Sequence, residues 1–321
     1  MSLSTDFTPS FLNREASLPG PQTEALENSA WKTLMHPEDR QAITCMEALP
    51  GFSAFCGWML KQGFEKIARA ELIGDAIRLG PNQMPHLYGL LTEVCATLGM
   101  RDVPELYLQM DRWPNAYAQG ESQPLITITS GLVEVLSEED IRIVLAHECG
   151  HILFKHLRYS LMANLFRFGI SSAVGQLATI ASLGGLTALE QVVYRWERMS
   201  EYSADRVALL FSGDVSKVIR MQLQLACGVR ELSQQINFDE WVKQSEDFKQ
   251  TFKLNDLNGV LANLTLMNRR HPYAASRCME MQTFSKESTF KAVALKLGTY
   301  RCPKCGGKMR SMTMCEKGHF V

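Results

Sequence analysis

Polar letters without a period fill the first thirty residues, so a flexible arm is expected over 1–30. Helical spacing follows. Pro37-Glu38-Asp39 can start a helix, and apolar letters recur at helical intervals over 54–79, where Gly80-Pro81 stops them, and over 86–98, where Gly99 does. The period then falls to two. Glu105-Leu106-Tyr107-Leu108-Gln109-Met110, Asn115-Ala116-Tyr117-Ala118 and Leu125-Ile126-Thr127-Ile128-Thr129 read as short strands with turn residues between them. Helical spacing returns over 141–156, 191–211, 215–232, 238–252 and 273–281.

The stretch 168–187 carries no charge and is long enough to span a bilayer. Its Gly, Ser and Thr residues and Gln176 favour a buried or groove-lining helical hairpin instead, with interfacial membrane contact left open. The three short strands directly precede the helix over 141–156. An exposed strand edge there could take an extended peptide by strand addition, or the strands could simply finish a sheet.

Chemistry concentrates in His147-Glu148-Cys149-Gly150-His151. Histidines four apart stack on one helix face, and neutral imidazoles at that spacing can close on one Zn²⁺. Glu148, rotated off that axis, can take a proton from the attacking water without becoming a ligand. Ser137-Glu138-Glu139-Asp140 ahead of the run is a capping signature with acid at the positive end of the helix. H-E-x-x-H also occurs by accident, on core helices whose histidines are satisfied by neighbours. A third ligand is needed.

Glu201 and Asp205 stand four apart among Tyr202, Ala204, Val207 and Leu210. Carboxylates on an apolar helix face need partners. A zinc ion lacking its third ligand would suit Glu201, and the free N–H of a ligating histidine would suit Asp205. Ion pairing with Arg198 or Arg206 is the other reading. Further on, Pro272 biases His271 toward an extended conformation, from which it could hydrogen-bond the oxyanion of a tetrahedral intermediate. His156 is expected on the helix surface.

Composition narrows the class. A chain of 321 residues with 46% hydrophobic letters can bury a large core, and its net charge of −1 makes no field for gathering nucleic acid. No basic stretch followed by an apolar run opens the chain, so no secretory signal is read. Nine scattered cysteines in a chain of this length do not resemble a disulfide framework, and a reducing, cytoplasmic compartment is expected. Four potential ligands cluster at the end: Cys302, Cys305, Cys315 and His319, in the order C-x₂-C-x₉-C-x₃-H. A structural Zn²⁺ there would fold a tail with almost no core of its own; a redox pair or free thiols are the alternatives.

Taken together, Asn115-Ala116-Tyr117-Ala118, the run ITITSGLVEVLSEEDIRIVLAHECGHILFKH, Glu201-Tyr202-Ser203-Ala204-Asp205 and His271-Pro272 resemble the M48 family of zinc metallopeptidases. That group includes the CAAX prenyl proteases and the heat-shock protease HtpX. The resemblance spans roughly 104–277. It implies an α+β, mainly helical fold: a gluzincin-type catalytic domain with a small sheet beside the H-E-x-x-H helix, here over 31–290, followed by a zinc-ribbon-like tail over 299–321. By position it makes His147, His151 and Glu201 zinc ligands, Glu148 the general base, Asp205 the residue orienting a ligand histidine, and His271 the oxyanion partner. Asn115 and Ala116 fall on the strand that holds substrate backbone. Phe154 and Leu157 exclude the metzincin pattern, which needs Gly and His at those positions.

The expected function is zinc-dependent endoproteolysis of peptides or proteins, with one catalytic and one structural zinc. The alternative is a metal-binding scaffold or adaptor that uses the tail to hold a partner; retention of Glu148 counts against it. Oligomeric state is not legible.

Overall fold

The computed structural model describes residues 31, 33–48, 52, 54, 56–57, 63–167, 185–251 and 272–320. The expected arm over 1–30, most of the uncharged stretch 168–187 and His271 lie outside them.

Helix α1 (Pro37–Glu47) begins on its proline, and the His36 ring accepts from Glu38 N at 3.3 Å to cap it. The single helix expected over 54–79 does not reach its predicted end. Gly63, at φ 80°, opens α2 (Phe64–Asp75), and Ala76 is extended, so Ile77–Leu79 becomes strand β1. Those three residues form a ladder with a neighbouring strand, and that pairing overrides the local helical pattern. Helix α3 (Pro85–Leu98) ends on left-handed Gly99 as the sequence predicts.

Strands β2 (Glu105–Gln109), β3 (Ala116–Gln119) and β4 (Leu125–Thr129) complete a four-stranded sheet of order β1-β2-β4-β3. The β2–β4 pair is parallel and the other two pairs are antiparallel. Strand β4 is buried throughout, whereas β3 is half-buried and lies at the sheet edge.

A short α4 (Ser130–Val135) leads to α5 (Glu138–Leu153). Ser137 and Asp140 form the predicted capping box, each side chain meeting the other's backbone N–H. Helices α6 (Leu157–Arg167) and α7 (Gly185–Ser212) follow, and α7 packs along α5 and α1. The helix expected over 215–232 breaks at left-handed Gly228 into α8 (Val215–Cys227) and α9 (Arg230–Ser233). Helices α10 (Phe238–Thr251), α11 (Ala274–Phe284) and α12 (Ser288–Lys296) complete the body. No helix among the described residues is long and apolar enough to cross a membrane.

One core joins Leu90 and Leu91 of α3, Ile126 and Ile128 of β4, Leu145 of α5 and Leu209 of α7. It also takes in Cys302, Met309 and Cys315 from the tail. Gly213 is where the tail meets the body. At φ 65° it lies so close to the Thr299 carbonyl that a Cβ would sit 1.8 Å from that oxygen. Thr299 Oγ1 donates to Leu210 O, and Arg301 N donates to Gly213 O.

Candidate metal centre and cleft

Two helices distant in the sequence supply the predicted residues. His147 and His151 project from α5, and Glu201 projects from α7. What lets the helices approach is Gly150: a Cβ there would meet Ala204 Cα at 3.0 Å and Val207 Cβ at 3.1 Å. With no side chain at 150, Glu201 comes within reach of both imidazoles.

Three potential metal donors converge here. His147 Nε2 and His151 Nε2 are 3.3 Å apart, and Glu201 lies 3.5 Å from each through its two oxygens. Around a tetrahedral ion with ligand distances of about 2.0–2.2 Å, neighbouring donors stand about 3.3–3.6 Å apart. The three side chains form a group able to hold a metal ion, and the separation of the two imidazole nitrogens falls within that range.

Behind the donors, His147 Nδ1 meets Asp205 Oδ1 at 3.0 Å. Asp205, with no solvent exposure, is gripped by Arg277: Nε donates to Oδ2 at 2.7 Å and Nη2 to Oδ1 at 2.6 Å. The cation for Asp205 is therefore neither Arg198 nor Arg206; Arg206 pairs with Glu280 at 2.7 Å. Nothing local pointed to Arg277, which reaches Asp205 from α11. Burial pushes the Asp205 carboxyl up, but the Arg277 charge and hydrogen bonds outweigh it and hold the carboxyl below its ordinary range. Burial likewise works against charge on His147, and its hydrogen bonds to Asp205 and Glu201 reverse the sign, so its pKa is pushed up to about 10. A cation there competes with that proton.

His156 corrects the sequence reading. It is not on a helix surface. Helix α5 ends at Leu153, Lys155 turns left-handed at φ 60°, and His156 N donates back to His151 O at 2.9 Å. That turn carries the ring beneath His151, where it is fully buried against Trp196.

The donors open into a cleft of about 650 Å³. Glu148 lines it beside Asn115 and Ala116, the strand β3 is one wall, and Lys66 and Arg69 of α2 stand among its other lining residues. Thr129 N donates to Asn115 O, fixing 115 as a position that bonds to β4. Alternation along an antiparallel ladder then turns the main-chain groups of Ala116 and Ala118 away from β4, toward the open edge.

In the tail, Cys305 Sγ and Cys315 Sγ are 3.9 Å apart, and Cys315 Sγ is 3.6 Å from His319 Nδ1. Sulfurs sharing a zinc at about 2.3 Å would stand about 3.8 Å apart. Cys302 belongs to the same group, and left-handed Gly306 lets its own N–H turn back to Cys302 O. Burial opposes ionisation of Cys315, yet backbone N–H groups of His319 and Lys317 prevail and lower its pKa to about 7.

The profile of Peptidase family M48 matches residues 81–284. The chain belongs to that family. This M48 chain is 29% identical over 262 residues to a plastoglobule-localized, chloroplastic metallopeptidase 48 of Arabidopsis thaliana, covering 80% of itself and 74% of that protein. It is 31% identical over 172 residues to a protease HtpX homolog of Tropheryma whipplei strain Twist, covering 53% of itself and 55% of the relative. A Campylobacter concisus HtpX homolog is 24% identical over 239 residues. No solved structure matches the chain. The family and the metal-binding group make the chain a metallopeptidase.

Proposed function

We propose that this chain is an endopeptidase whose zinc is held by His147, His151 and Glu201, with Glu148 as general base. The observation that carries the reading is the convergence of two imidazoles whose Nε2 atoms are 3.3 Å apart with a carboxylate whose two oxygens each lie 3.5 Å from one ring, lining a cleft edged by an open strand. Zinc bound there would lower the pKa of a coordinated water toward about 7 and polarise the scissile carbonyl. Glu148 takes the proton of the attacking water and passes it to the leaving amine. Asp205 holds His147 in the tautomer with its proton on Nδ1, leaving Nε2 as the donor atom. Ala116 opens the strand to which an extended substrate would add, with outward main-chain groups, and Asn115, expected on that strand, stands just before it. His271 is assigned to the oxyanion on the family resemblance.

The tail is read as a second, structural zinc site of Cys302, Cys305, Cys315 and His319. Its sulfur and nitrogen spacings support that reading. On this scheme 1–30 is an arm, 31–290 the peptidase domain and 299–321 the ribbon.

The decisive experiment replaces Glu148 with glutamine and follows casein digestion alongside bound metal. Zinc content is expected to persist while turnover falls by about 100- to 10,000-fold. Wild-type turnover in Glu148→Gln would remove the general base from the scheme.

A further inference from the structure

Both histidines of the proposed centre have their rear nitrogen engaged, by different routes. His147 Nδ1 meets Asp205 directly. His151 Nδ1 faces His156 Nδ1 at 3.0 Å, and His156 Nε2 faces Asp39 Oδ2 at 3.0 Å. His156 and Asp39 are both fully buried. The same Asp39 oxygen accepts from Ser203 Oγ at 2.5 Å, and Ser203 Oγ accepts from His36 N at 2.9 Å. Ser203 stands between Glu201 and Asp205 on α7, so α1 docks onto the turn of α7 that carries the metal-site carboxylates.

We propose that His156 and Asp39 are positioning residues for His151, forming a relay completed by a helix outside the segment 81–284 matched by the family profile. The inference rests on the His147, His151 and Glu201 reading. Three observations carry it.

The first is proton placement. With His151 Nε2 turned toward the other donors, its proton sits on Nδ1 and donates to His156 Nδ1. Neutral His156 then carries its own proton on Nε2 and donates it to Asp39. One arrangement satisfies His151 Nδ1 and both nitrogens of His156, and it fixes the His151 tautomer as Asp205 fixes that of His147.

The second is the cost of the alternative. A carboxylate and an imidazole with no solvent contact are expensive to bury, and Asp39 Oδ1 finds no hydrogen-bond partner among the described residues. An apolar pair would pack the same space more cheaply. The third is the backbone. Lys155 takes a left-handed conformation that is unfavourable for a lysine, and this turn brings His156 under His151.

The test uses full-length protein titrated with cobalt(II) against a competing chelator. Thiolate-to-cobalt charge transfer reports the tail, so the affinity of the histidine centre is read separately. His156→Phe keeps an aromatic ring against Trp196 but cannot accept from His151, and Asp39→Asn is nearly isosteric. Each is expected to weaken cobalt binding at the histidine centre by about 10- to 100-fold, with the tail affinity unchanged. Because Asp39 acts through His156, the double variant should bind no more weakly than His156→Phe alone. A merely structural pair would lower the unfolding temperature and leave this affinity where it was.

Wild-type affinity in both folded variants, or losses that add in the double variant, would overturn the relay. Should His156→Phe fail to fold, Asp39→Asn decides alone by the same affinity. Glu201→Ala separates the two readings. Retained affinity there defeats the ligand assignment itself, whereas loss there beside wild-type affinity in the relay variants defeats only the relay.

Discussion

Gly150 of the H-E-x-x-H helix lies against Ala204 of α7 so closely that a Cβ at 150 would stand 3.0 Å from the Ala204 α-carbon. This contact sets the distance between the histidine pair and Glu201. A valine at 150 must separate the helices, since its neighbours are backbone and the β-branched Val207 rather than a flexible chain end. Gly150→Val is expected to cost about 1–3 kcal/mol by overpacking and to lower bound metal. Chemical denaturation and metal analysis check it; wild-type metal content would show that the approach is not what holds Glu201 in place.

Arg277 supplies both hydrogen bonds that neutralise the buried Asp205, at 2.6 and 2.7 Å. Removing the guanidinium leaves a carboxylate with no solvent contact whose hydrogen-bond partner among the described residues is His147. Arg277→Ala is expected to destabilise the fold by about 3–5 kcal/mol, and Arg277→Lys to recover only part, because an ammonium cannot match the two-point grip. Urea midpoints at a constant m-value measure both.

Acid stability should follow Asp205. Its carboxyl is held below the ordinary value of 3.8 in the folded chain. A group with a depressed folded pKa stabilises fully above its unfolded value and loses that stabilisation as pH falls through the folded one. The loss therefore belongs to the range below about pH 4. Asp205→Asn should be less stable at neutral pH and show a shallower decline below pH 4. An unchanged slope there would assign the acid limb to other carboxylates.

The tail offers a separable test. Cys302→Ser/Cys305→Ser should reduce bound zinc from two ions to one, leaving the histidine centre loaded. Cys302 also sits in the main core beside Met309, so the unfolding temperature should fall as well. An unchanged metal count would return the cysteines to the status of plain thiols.

Much of the fold was legible along the chain because its signals are local. The capping box at Ser137 and Asp140, the left-handed stop at Gly99 and the period-two run of β4 each depend on a few neighbouring residues, and each appears as read. The helix reading failed at Ile77–Leu79 because strand pairing with β2 is a nonlocal gain that no helical periodicity registers. His156 was misread for a related reason. The residue that turns the chain beneath His151 is Lys155, where a glycine would have announced the bend.

What the sequence alone determined is the inventory of donors and their helical spacing: the imidazoles of 147 and 151 on one face, the carboxylates of 201 and 205 on another, and the two clusters of the tail. Spacing along one helix is set by 3.6 residues per turn and needs no partner. Tertiary structure alone decided which buried polar and charged groups meet. Arg277 found Asp205, and Asp39 found His156, across separations over which sequence carries no distance information. Burial makes those pairings obligatory, since an ionised or polar group without water must find a partner wherever the packed helices bring one.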